Sequence, residues 1–141
     1  MKTRIAEILF GLVVLTGCSV SKAGLAPSAT SEAILSLKDG MTYDQILERI
    51  GPPLEKRLSS DLSVGGVVYR RGSSVQDPSR GDVVLMYSRP LGLFRAYPML
   101  WVHLKDGKLF YVNAKVYDGA GRDSYVKVSA SNPLFWEVFG Q

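Results

Sequence analysis

Few side chains in this sequence have the type and spacing for covalent or proton chemistry. Cys18 is the only cysteine among 141 residues, which excludes an intramolecular disulfide and a cysteine-based zinc site. His103 is the only histidine. It leaves few nitrogen ligands for a transition metal, has no cysteine nearby to activate, and is expected as a surface or partner-facing side chain. Ser19-x-x-Lys22 and Ser124-x-x-Lys127 have the spacing of the serine–lysine hydrolases. That chemistry needs the serine at a helix N-terminus with companion motifs, whereas the first pair lies in a Ser- and Ala-rich stretch and the second in a strand-like run. Asp106, Asp118 and Asp123 fall in turns, where turn chemistry accounts for them. Gly119-Ala-Gly121 reads as a turn as well, since no phosphate-binding glycine pattern follows a strand there. The expectation is a protein that is not an enzyme and that carries no cofactor and no metal.

The thiol takes its meaning from its surroundings. The chain opens Met-Lys-Thr-Arg, continues with the apolar run at residues 8–15 (ILFGLVVL), and reaches Thr16, Gly17 and Cys18. A basic start, a short apolar segment and small residues at its end are the parts of a secretory signal peptide. The run is far below the roughly 20 residues a membrane-crossing helix needs. Leu15-Thr16-Gly17-Cys18 resembles the bacterial lipobox, whose cysteine is alkylated with diacylglycerol before cleavage. The resemblance implies that Cys18 becomes an acylated first residue, and that Ser19 after it directs the protein to the outer membrane of a Gram-negative cell. Several acyl chains make such an anchor effectively permanent. Ser19 to Thr30 has no apolar periodicity and contains Pro27, so it reads as a tether of at most about 40 Å when extended.

The composition fits one small domain. Hydrophobic residues make up 46% and charged residues 21%, with 17 Lys and Arg against 13 Asp and Glu. That is too apolar and too balanced for a disordered chain. No run of basic residues exceeds the pair Arg70 and Arg71, so a nucleic-acid partner is not expected. The organisation predicted is a signal peptide at 1–17, a lipidated cysteine and tether at 18–30, and an α+β domain at 31–141.

The elements that must position the remaining candidates can be read from periodicity. Ser31 can cap a helix that carries Ala33, Ile34 and Leu37. Thr42 and Gln45 form a capping box for a second helix with an Ile46, Leu47 and Ile50 stripe, stopped by Gly51, Pro52 and Pro53. From residue 64 onward the signal turns strand-like, at 67–71, 83–88, 97–104, 108–117 and 124–130, with a polar loop at 72–81. Asp106-Gly107 joins two of these as a hairpin. A three-residue loop with Gly107 as a bulge pairs Leu104 with Lys108, Val102 with Phe110 and Leu100 with Val112. One face then carries Leu100, Val102, Leu104, Phe110, Val112, Ala114 and Val116 and is predicted as the core. The other carries Met99, Trp101, His103, Leu109, Tyr111 and Asn113. Trp101 and Tyr111, neighbours in that register, form either a recognition patch or a surface covered by a loop or the C-terminal segment. Leu91, Leu93 and Phe94, flanked by Arg89 and Arg95, suit contact with lipid headgroups or a partner. The segment Pro133-Leu-Phe-Trp-Glu-Val-Phe139 either closes the core or stands exposed as an anchor.

Gly40-Met41-Thr42, then Gln45-Ile46 and Gly51-x-Pro53, resemble the opening signature of the SmpA/OmlA, or BamE-like, outer-membrane lipoproteins. Val102-His-Leu-Lys-Asp-Gly-Lys-Leu109 is similar to that family's hairpin. The resemblance implies two short helices packed on an antiparallel sheet, here of three to five strands, and an accessory role in β-barrel insertion and envelope integrity that acts by contact. The insert around residues 89–97 and the chain after Tyr117 extend beyond the minimal family domain. The expected partners are outer-membrane lipid, through acylated Cys18, and an envelope protein, with Trp101, His103, Tyr111, Leu93 and Phe94 as its candidate contacts. The other reading is a stand-alone envelope or stress lipoprotein that binds lipid or peptidoglycan.

Overall fold

The structure, a computed structural model, describes residues 20–58, 83–92, 95–118, 120 and 122–140. The expected signal segment at 1–17 with Cys18 and Ser19, the expected strand at 67–71 and loop at 72–81, Leu93, Phe94, Gly119 and Gly121 lie outside the described residues.

The fold is α+β. Among the described residues, strands β1 (Glu55–Leu58), β2 (Val83–Met86), β3 (Tyr97–Lys105), β4 (Lys108–Tyr117) and β5 (Asp123–Tyr125) form one antiparallel sheet, ordered as in the chain. Helices α1 (Ser31–Leu35), α2 (Tyr43–Ile50) and α3 (Pro133–Phe139) bury apolar residues in a core shared with the sheet. The first two are the expected N-terminal pair. The third answers the question posed by the C-terminal segment: Phe135, Val138 and Phe139 are buried in that core, and of its aromatic side chains only Trp136 stands out into solvent. Asn132 caps α3 through its Oδ1, which accepts the Leu134 N–H, and Pro133 occupies a first-turn position where a missing N–H costs nothing.

Local chemistry sets the other helix ends. Thr30, one residue before the expected Ser31, caps α1 by accepting the Ala33 N–H. The capping box of α2 forms as read: Thr42 Oγ1 accepts the Gln45 N–H while Gln45 Oε1 accepts the Thr42 N–H. Gly51 ends α2 at φ 76°, and the Tyr87 hydroxyl donates to the Gly51 carbonyl over 2.9 Å, fixing the helix end to the continuation of β2.

The Gly40-Met41-Thr42 signature does more than start a helix. The Gly40 N–H donates to the Leu109 carbonyl (2.8 Å) and the Leu109 N–H donates to the Met41 carbonyl (2.7 Å). This short bridge satisfies the backbone edge of β4 near the hairpin, on the side that β5 pairs farther along the strand.

The stretch expected as a tether is part of the domain over residues 20–30. The Ser21 N–H donates to the Ala96 carbonyl (3.1 Å), Lys22–Gly24 forms a 3-10 turn, Leu25 bridges Ser88, and the Ala26 N–H donates to the Tyr87 carbonyl (2.7 Å). Ala26 and Ala29 are buried in the core. The small side chains that suggested flexibility are what allow this close approach. At Gly24 a Cβ would meet the Arg89 carbonyl oxygen, and the Arg89 N–H donates to the Gly24 carbonyl. No described helix is long and apolar enough to cross a membrane.

The hairpin register differs from the expected one. Leu104 pairs with Leu109, not Lys108, and Lys105 pairs with Lys108, so the loop is the two residues Asp106 and Gly107. Their φ values, 51° and 73°, are the positive pair of a type I′ turn, whose twist matches that of the strands. The register then shifts between His103 and Leu104, because Phe110 is an extra residue in β4. Beyond this bulge Val102 meets Val112 and Leu100 meets Ala114. Phe110, expected in the core, is 64% exposed, and Leu109, expected on the other face, is buried at 3%. Both arrangements keep Val112, Ala114 and Val116 on the core side. They differ in pairing, Val102 meeting Val112 instead of Phe110 and Leu100 meeting Ala114 instead of Val112, and in the faces taken by Leu109 and Phe110.

Candidate functional site

The second face of the sheet carries the residues singled out for recognition. Register places them in cross-strand rows: Arg57, Val84, His103 and Tyr111 in one, Glu55, Met86, Trp101 and Asn113 in the next. Val84, Met86, Tyr97, Met99 and Trp101 form a second apolar cluster with Leu91 and Tyr117 packed against it. Trp101 is 8% exposed and lies opposite Asn113, not Tyr111. It is a packing residue of this layer, so the proposed Trp101–Tyr111 contact pair is corrected.

Polar atoms are buried within the layer. Trp101 Nε1, His103 Nε2, Asn113 Oδ1 and Arg57 Nε and Nη1 are enclosed without a hydrogen-bond partner among the described residues, although Arg57 Nη2 donates to Glu55. His103 is half-buried, its ring 5.7 Å from that of Tyr111. Burial pushes its imidazole below the ordinary value, so it is neutral at pH 7. No serine or carboxylate oxygen is bonded to it among the described residues. Nor do the described residues contain a group of three or more His, Cys, Asp and Glu side chains able to hold a metal ion.

Outward along β4 and β5 the face becomes open and aromatic. Tyr111 is 41% exposed and Tyr125, opposite Lys115, is 55% exposed, and Phe110 precedes Tyr111 at the bulge. Burial and the neighbouring Tyr125 hydroxyl both raise the Tyr111 phenol above its ordinary value. Lys105 sits over the Phe110 ring, 5.8 Å from its centroid. Lys108 and Lys127 are exposed on either side, and Lys115 is bonded to Asp123 over 3.1 Å. Sequence reasoning found Tyr111 but missed Phe110 and Tyr125. The usable signal for Phe110 was Asp-Gly itself, since a two-residue loop keeps both strands apolar inside only if one residue beyond it is extruded.

The opposite end of the sheet holds the beginning of the described chain. Ser21 lies against Ala96, one residue before β3 begins, and Arg89, Pro90 and Arg95 are exposed there. Asp118 closes the far corner of that end. The Ala120 N–H holds its carboxyl below the usual range, and the Arg122 N–H and guanidinium add to the effect.

No protein-family model, curated protein or solved structure matches this chain.

Proposed function

We propose that this chain is a lipid-anchored adaptor of the outer membrane, facing the periplasm, that works by binding an envelope protein and performs no chemistry of its own. The observation that carries the binding part is the aromatic strip of Phe110, Tyr111 and Tyr125, left open on a sheet whose central strands are buried on both faces. Exposed aromatics grouped in this way are enriched at protein contacts, because they bring large apolar area with little side-chain entropy to lose. The lipobox-like Leu15-Thr16-Gly17-Cys18 supports the anchor. The SmpA/OmlA-like signature supports a place beside β-barrel assembly, and its Gly40 and Gly51 take the left-handed backbone that their spacing calls for.

The geometry suits that role. Val20, where the described chain begins, follows Cys18 by two residues, a span of about 7 Å when extended. An acyl anchor would therefore hold the Ala96 end of the sheet against the bilayer. β3 has nine residues and spans about 30 Å. Its far end, with Lys105 and the neighbouring Phe110, then points into the periplasm.

The test is expression of the full chain in a Gram-negative host with a clickable palmitate analogue. Label on the wild type that disappears in Cys18→Ala, together with flotation in the outer-membrane fraction, supports the reading. An unlabelled chain recovered with soluble protein overturns it.

A further inference from the structure

The chemistry of the aromatic strip narrows the partner. Lys105 and Lys108 flank Phe110 at the hairpin end, and exposed Lys127 follows Tyr125 by two residues at the other end of the strip. Among the described residues, the hairpin turn, β4 and β5 carry two carboxylates, Asp106 and Asp123. Asp123 is bonded to Lys115, and Asp106 is held in the hairpin turn. The strip is therefore a row of rings edged by lysines with their ammonium groups in water. The Lys105 ammonium stands over the Phe110 ring, which remains exposed. Such a surface is complementary to a segment that offers apolar side chains between carboxylates.

We infer that the partner-binding surface is this lysine-edged strip and that its occupant is an acidic protein segment bearing apolar side chains. The inference rests on the adaptor reading and deepens it. A lipid bilayer is a poor fit for the Phe110 end of this surface, because the start of the described chain lies by Ala96 at the opposite end of β3, nearer to Tyr125. The β-bulge is the device that makes the strip. Without it Phe110 would continue the alternation into the core, and the rim would lose its outermost ring.

The experiment is site-specific photocrosslinking in cells with the full chain. A photoreactive side chain replaces Phe110 or Tyr125, and Glu48 on α2 serves as a control position. Adducts are identified by mass spectrometry. The expected result is a protein adduct at 110 and 125 and none at 48, with the crosslinked peptide carrying net negative charge. In the triple variant Lys105→Glu, Lys108→Glu, Lys127→Glu the adduct yield should fall about tenfold, with an unchanged melting temperature. A neutral or basic crosslinked segment, or a yield indifferent to charge reversal, overturns the inference while leaving the adaptor reading in place. Adducts with lipid alone, or no adduct at any position, overturn both.

Discussion

Leu104 and Leu109 stand directly opposite one another across the β3–β4 hairpin, and both side chains enter the core. One residue later in β4 the ring of Phe110 lies in solvent. Truncation of the two neighbours should therefore have opposite consequences. Leu109→Ala removes a buried side chain and should cost about 2–5 kcal/mol. Phe110→Ala should stay within about 0.5 kcal/mol of the parent. Urea denaturation of the two variants checks the register, since the alternative pairing would reverse the order.

α3 should be essential to folding. Phe135 is fully buried and stacks on Phe139, with ring centroids 5.5 Å apart. Phe135→Ala should cost about 3–5 kcal/mol, and a chain ending at residue 132 should lose cooperative thermal unfolding altogether. Trp136→Ala tests the outward side of the helix. It gives up the bond from Nε1 to the Ala130 carbonyl, 2.8 Å long at an exposed site, and should cost about 1 kcal/mol.

Gly51→Ala should destabilise the junction of α2 and β1 for two reasons that add. The residue has φ 76°, where a side chain costs about 1–2 kcal/mol, and the new Cβ would stand 2.8 Å from Ser28 Oγ. In the double variant Gly51→Ala, Ser28→Gly the steric part should be recovered and the backbone part should remain. Calorimetry on the single and double variants separates the two.

Acid sensitivity should come partly from His103. Its folded pKa is lowered from 6.5 by burial, so the unfolded chain binds the proton more tightly. The stabilisation is fully present above about pH 6.5 and is lost as pH falls through the lowered folded value. His103→Gln should flatten the stability profile over that window and leave the profile above pH 7 parallel to the parent. Equal slopes in parent and variant would remove His103 as the source.

Sequence periodicity revealed the helices and the long hairpin because their signals are local. The Thr42 and Gln45 capping box, the Gly51 stop and the bounds of β4 all depend on neighbours within a few residues. The features that escaped depend on distant contacts. β1 has almost no strand character in Glu-Lys-Arg-Leu, and its pairing with β2 crosses a long sequence gap. The segment around Ala26 looks like a linker because its partners, Tyr87, Ser88 and Ala96, lie far along the chain. At the candidate site Tyr111 could be read from alternation. Phe110 could not be read from alternation, which fails at a bulge; the Asp-Gly loop signals that a residue is extruded without marking which one.

The core joins Ala26 and Ile34 to Phe135 and Phe139, and this bears on how the protein reaches its folded state. A nascent chain that has released only its first hundred residues has α1 and α2 but lacks α3 and both strands that follow the hairpin turn. Its core would miss Phe135, Val138 and Phe139, and closing it requires contacts across almost the whole described chain. The domain therefore gains its full stability only once the last helix has been made.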